Sequence, residues 1–184
     1  IEISNYKYNS KGGNGKASNI FEIPMPDEFR GKYRGKGAGK KYLIEFEKII
    51  SKAKKANKKI SAMIVEPIIS CGGQIELPEK FLKKCKKILE RENILLIVDE
   101  VQTGFGRVGE KFWGFQLHDV IPDIVTLGKP MGNGHPIGAV VCTAEISKKF
   151  DNGLEFFSSF GGNPVSCRIA NEVINEIDRQ KLQS

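Results

Sequence analysis

The sequence has almost no histidine: His118 and His135 are the only two in 184 residues. Its four cysteines, Cys71, Cys85, Cys142 and Cys167, nowhere form a C-x-x-C pair. These shortages exclude the ligand spacings of a zinc site. The cysteines read as thiols kept in a reducing compartment, so the expected location is cytoplasmic. No apolar run approaches the roughly 20 residues a membrane helix needs, and no signal-peptide pattern opens the chain. There is no internal repeat and no low-complexity linker. The chain begins without Met, inside an extended-looking stretch, and reads as an internal fragment.

Acidic residues are outnumbered, 22 against 29 Lys and Arg, for a net charge of +7. That balance raises nucleic acid as a partner. The surplus, however, sits on predicted helix faces (Lys48, Lys52, Lys55, Lys83, Lys84, Lys87) or in the glycine-rich start. No RNP, zinc-finger or basic-zipper pattern accompanies it, so a solvated surface is the reading preferred. Length and a 40% hydrophobic content fit one globular domain with a real core.

Residues 1–40 carry Gly12, Gly13, Gly15, Gly31, Gly35, Gly37 and Gly39, with Pro24 and Pro26. They read as a long loop, with Ile1-Glu2-Ile3 as a strand tail. Tyr42 to Lys58 predicts a helix with Leu43, Phe46, Ile49, Ile50 and Ala53 on one face. Ser61 to Val65 predicts a strand ending at Glu66-Pro67, and Ile68 to Leu77 must turn. Pro78 opens a helix striped with Phe81, Leu82, Cys85, Ile88 and Leu89. The runs Ile94 to Val98, Ile124 to Leu127 and Gly138 to Thr143 predict further strands. Helices follow at Ala144 to Phe150 and from Asn163-Pro164, the last with Val165, Ile169, Ala170, Val173, Ile174 and Ile177 aligned. The alternation is that of a parallel α/β sheet.

Two residues stand out. Asp99 ends the Ile94 run and Lys129 follows the Ile124 run by two residues. Ligands of open α/β sheets bind outside the carboxyl ends of strands, so an acid and an amine share one rim. A carboxylate opposite a pyridine nitrogen favours the protonated ring, an electron sink for carbanion chemistry. Lys129, flanked by Leu127-Gly128 and Pro130-Met131-Gly132, would supply an amine for a Schiff base. Gly104-Phe105-Gly106-Arg107-Val108-Gly109 matches G-x-G-x-x-G, but it neither follows a strand directly nor enters an apolar helix. It reads as a glycine-rich turn, not a dinucleotide site. Ser158 to Asn163 precedes a helix and suits either a phosphate or a plain N-cap.

Taken with VEP at 65–67, DEVQTGFGR at 99–107, PDIVTLGKPMGNG at 122–134 and SFGGNP at 159–164, these residues resemble the class III pyridoxal-phosphate aminotransferases of fold type I. The resemblance covers nearly the whole chain. Within the family, SCGGQ at 70–74 and FGGNPVSC at 160–167 look most like the branch with ethanolamine-phosphate phospho-lyase and alanine–glyoxylate aminotransferase. It implies an α/β fold: a mostly parallel central sheet flanked by helices, the incomplete large domain of a PLP transferase. Residues 1–40 would be its glycine-rich loop segment and 41–184 its cofactor-binding core, with the small domain absent. It implies pyridoxal 5′-phosphate as cofactor and transfer of an amino group to a keto acid or aldehyde. Lys129 would form the Schiff base and shuttle the proton, and Asp99 would pair with the ring nitrogen. Val101 would pack on the ring, Gln102 would approach its 3′-oxygen, and Glu66 would order Asp99 and Gln102. Ser159, where the family usually has Thr, would bond the phosphate held by a neighbouring subunit, which implies a homodimer.

Many family members carry a Glu in the loop after VEP that pairs with a substrate-binding Arg. This chain has Cys71 there. A phospho-lyase acting on a phosphorylated amine is therefore the alternative, and a non-catalytic basic module that keeps the fold is a third reading. No nucleic-acid or membrane partner is expected.

Overall fold

The computed structural model describes residues 3–183. The chain divides into two compact units, residues 1–60 and 61–184. The strand tail expected at the start falls on Ile1 and Glu2, outside the described residues, and Ile3 is an exposed turn residue.

The first unit holds a single helical turn, α1 (Asn5–Tyr8), and a long helix, α2 (Ala38–Lys55). The glycine-rich stretch between them is loop, yet side chains tie it down. The hydroxyl of Tyr42, fully buried on α2, accepts from the Tyr33 N–H at 3.0 Å and lies 3.0 Å from the Asp27 carbonyl, to which it donates. Asp27 Oδ1 accepts from the N–H groups of Arg30 (2.9 Å) and Phe29 (2.8 Å), and those bonds hold its carboxyl below the usual range. Tyr8 donates to the Glu22 carboxylate; that hydrogen bond, helped by burial, pushes the phenol up to about 12. α2 starts at Ala38, one turn before the expected Tyr42, and buries Ala38, Tyr42, Phe46, Ile50 and Ala53. Leu43 and Ile49, expected on the buried face, are half-exposed. The stripe is displaced because the loop supplies polar partners for Tyr42, which apolar spacing does not reveal.

The second unit is built on a four-stranded sheet of β1 (Ala62–Val65), β4 (Leu95–Asp99), β5 (Ile124–Leu127) and β6 (Ala139–Cys142), in that order. β1 pairs in parallel with β4, and β4 with β5; Val98 faces Val125 and Asp99 faces Thr126. The carboxyl ends of these three strands therefore lie along one rim. β6 runs antiparallel to β5. The segment 128–138 is shorter than the dozen or so residues a parallel crossover needs, so the chain returns beside the strand it left. The turn expected over Ile68 to Leu77 is a small hairpin, β2 (Ile68–Ile69) and β3 (Ile75–Glu76).

Helix α3 (Phe81–Arg91) buries Phe81, Leu82, Cys85, Ile88 and Leu89, the stripe read from its spacing. It begins three residues after Pro78, because Pro78 to Lys80 form a turn closed by the Phe81 N–H on the Pro78 carbonyl. Asp123 pins α3 to the sheet: its Oδ2 accepts from Lys86 Nζ and from the Leu96 N–H, both at 2.7 Å. Helix α4 spans Ala144–Phe150 and α5 spans Pro164–Gln180. On α5 only Ala170 is buried, while Val165 and Ile174 are exposed. Ile169, Val173 and Ile177 are half-buried, so the apolar face expected to be core is only partly covered.

Candidate active site

The rim gathers the ends of three strands. Asp99 closes β4, half-buried, and its Oδ1 accepts from the Val101 N–H at 2.9 Å. That bond fixes the carboxylate before any ligand arrives. Its other oxygen takes no hydrogen bond among the described residues. The next N–H, of Glu100, extends the sheet by donating to the Thr126 carbonyl at 2.9 Å.

Glu100 itself was missed by the sequence reading. It is fully buried, and an uncompensated buried carboxylate is costly. Three donors satisfy it: Thr103 Oγ1 at 2.7 Å, the Gly114 N–H at 2.9 Å and the Phe115 N–H at 2.7 Å. Glu100 thus locks the turn after Asp99 onto a short 3-10 turn, Gly114–His118. The available signal was an acid directly after a strand, a threonine three residues on and an aromatic run beyond. Those aromatics form a cluster, with Phe105 edge-on to Trp113 at 5.2 Å and Trp113 stacked on Phe115 at 6.4 Å.

Lys129 begins a 3-10 turn, Lys129–Met131, two residues past β5. Its φ is +33°, in a region where a residue with a Cβ is strained. Backbone strain of this kind concentrates at functional sites. The side chain is exposed, so the apolar enclosure expected from its flanks is not formed by the described residues. Closure of the following loop demands glycine: a Cβ on Gly132 would stand 2.0 Å from the His135 carbonyl oxygen. His135 Nε2 in turn lies 2.8 Å from Ser166 Oγ on α5.

Val101 leans toward the same place: a Cβ on Gly128 would meet its methyl groups at 3.5 and 3.6 Å. Thr126, in register with Asp99, has a buried hydroxyl that finds no hydrogen-bond partner among the described residues. Gln102 lies half-exposed on the Asp99 turn and lines an open depression of about 270 Å³ with Ser70, Thr103 and Arg107. Glu66 follows β1 and accepts from the Ser70 N–H at 3.0 Å and from its hydroxyl. Those bonds order the loop after β1, and none goes to Asp99 or Gln102. Ser159 lies in the wholly exposed stretch 151–163 and makes no hydrogen bond among the described residues. The glycine-rich stretch 104–109 is a turn, with Gly106 at φ +76° and Gly109 at φ +77°. No cluster able to hold a metal occurs among the described residues, and no helix there is long and apolar enough to cross a membrane.

A carboxylate, an amine and a valine thus gather at the carboxyl edge of an α/β sheet, the edge where such folds bind their ligands. The family described as aminotransferase class-III matches residues 3–184. The chain belongs to that family. It is 42% identical over 189 residues to an alanine–glyoxylate aminotransferase 2-like protein of Drosophila melanogaster, covering all of this chain and 38% of the relative. It is 35% identical over 195 residues to an ethanolamine-phosphate phospho-lyase homolog of Caenorhabditis elegans, covering 99% of this chain and 42% of the relative. Among solved structures, a phospholyase from Arthrobacter in complex with phosphoethanolamine superimposes with a TM-score of 0.83 at 34% identity, over 91% of this chain and 40% of that one. The chain thus spans about two fifths of the length of the curated relatives it matches. The sheet and its flanking helices bear out the mostly parallel α/β fold of the PLP transferases.

Proposed function

We propose that this chain is the cofactor-holding part of a pyridoxal-phosphate enzyme that moves an amino group from an amino donor to a keto acid or aldehyde. The observation that carries the proposal is Lys129 on a strained turn at the rim that also holds the pre-oriented Asp99. The residues present suit the cofactor: an acceptor-only carboxylate with one oxygen unused, an amine, an apolar side chain over Gly128 and an orphaned Thr126 hydroxyl. When bound, pyridoxal phosphate supplies an electron sink for carbanion chemistry next to the substrate amine.

The chain's own residues do the rest. Lys129 would hold the cofactor through its amine, and its Nζ would carry the proton moved during the reaction. Asp99 would hold the ring nitrogen in its protonated form by opposing it with negative charge. Val101 would flank the ring and Gln102 would offer its amide to the cofactor's oxygen. Glu66 supports the loop that borders them. Ser159 reaches the cofactor phosphate of a second copy, and a homodimer would also cover Phe150, Leu154, Phe156, Phe157 and Phe160, all highly exposed here. The four cysteines form no disulfide, in keeping with a reducing, cytoplasmic compartment.

A phospho-lyase is the second reading, favoured by one observation: Cys71 stands where an acid would repel a phosphate. The test incubates the intact holoenzyme with phosphoethanolamine alone, and separately with an amino donor plus glyoxylate or pyruvate. Amino transfer in the second tube is expected. Phosphate and acetaldehyde in the first, with no transfer in the second, overturns the first reading in favour of the second.

A further inference from the structure

Lys129 holds a strained backbone, and strain of that kind persists only where the surroundings over-determine it. Much of the hold is local. The Met131 N–H bonds the Gly128 carbonyl at 2.9 Å, the Gly132 N–H bonds the Lys129 carbonyl at 3.2 Å, and the His135 N–H bonds the Gly132 carbonyl at 2.9 Å. These bonds close the loop on itself. They do not fix it against the rest of the molecule.

One side chain does. Among the described residues, His135 has the only side chain of 129–137 that hydrogen-bonds another element, with its Nε2 2.8 Å from Ser166 Oγ. A hydroxyl can donate or accept, so the bond forms with either ring tautomer. Ser166 is itself well anchored. Its N–H and that of Val165 bond Asn163 Oδ1 at 3.2 and 2.9 Å, and the Cys167 N–H bonds the Asn163 carbonyl at 2.9 Å. Pro164 stiffens the same turn, at the start of a helix where proline costs least. α5 also packs on the Lys129–Met131 turn. A bonded path therefore runs from the Lys129 carbonyl through Gly132 and His135 to the capped start of α5.

Resting on the proposed role of Lys129, we infer that His135 and Ser166 are a positioning pair for it. Their hydrogen bond sets where the Lys129 turn stands, and so where its Nζ meets the reacting atoms. Neither residue needs to touch cofactor or substrate. Proton transfer demands hydrogen-bond reach, so a small displacement of the turn slows turnover more than it weakens substrate binding.

The test compares the intact protein with Ser166→Ala, His135→Phe, the double variant and Ser166→Thr, which keeps the hydroxyl. Amide hydrogen exchange, measured without cofactor, reads the loop itself. Loss of one hydrogen bond should speed exchange of the Gly132 and His135 amides about three- to tenfold in Ser166→Ala, although that change lies on α5. In the holoenzyme kcat should fall by a similar factor, with KM changing by less than about twofold. The double variant should be no slower than His135→Phe, because both changes remove the same bond. Ser166→Thr should recover part of both readings. Exchange at Gly132 and His135 that stays at the wild-type rate overturns the pair. So does an unchanged kcat where exchange quickens, or a KM that rises in step with the loss of kcat/KM. A wild-type protein without turnover strikes the proposed function, and wild-type turnover in all four variants strikes this inference alone.

Discussion

Replacing Glu100 by alanine should unfold the protein far more easily than any surface change. Its carboxylate accepts from Thr103 Oγ1, the Gly114 N–H and the Phe115 N–H in a fully buried setting. At about 1.5 kcal/mol for each bond to a charged acceptor, the low end because water can enter the vacated space, the loss is about 4–5 kcal/mol. That is a large share of a domain's typical stability. Glu100→Gln should cost less, roughly 2–3 kcal/mol, since an amide oxygen can serve two of the donors while its NH2 opposes the third. Trp113, the single tryptophan, stacks on Phe115 and so reports directly on this turn. With a urea slope near 2 kcal/mol/M, Glu100→Ala should lower the fluorescence midpoint by about 2 M. A shift below about 0.5 M in that variant would refute the claim that Glu100 holds the Asp99 turn in place.

Asp27 gives an acid-limb prediction. Its folded-state pKa is depressed by the Arg30 and Phe29 N–H groups, so its contribution is present above the unfolded value of about 3.9 and is lost as pH falls through the folded one. Asp27→Asn should flatten the decline in stability below pH 4; an unchanged acid limb contradicts this. Gly132→Ala should displace the loop after Lys129, because its Cβ would overlap the His135 carbonyl. Turnover should fall steeply with the fold retained, and a wild-type rate would count against the rigid loop. Asp99→Asn should keep cofactor but lose most turnover, about tenfold per unit of ring pKa lost. Equal rates in the two proteins would remove the charge role.

The strands and α3 were legible because buried runs and a 3.6-residue stripe leave direct traces in sequence. The placement of Asp99 and Lys129 on one rim was legible for the same reason, since Asp99 ends one such run and Lys129 follows another by two residues. Three features were not. Glu100 looks like any surface acid until its three donors are seen. The hold of Tyr42 on the loop at 27–33 depends on backbone groups, which carry no sequence signal. The α5 stripe was read correctly as apolar, but periodicity cannot say what covers it, and here only Ala170 of it is buried. The Glu66 bonds to Ser70 likewise follow from the path of the β2–β3 hairpin, which apolar patterning over 68–77 did not reveal.

The account turns on Lys129. Borohydride reduction of the intact holoenzyme, followed by proteolysis and mass mapping, should find the reduced cofactor on the peptide containing Lys129 and on no other. A label on a different lysine, or none in a protein that turns over substrate, would contradict it.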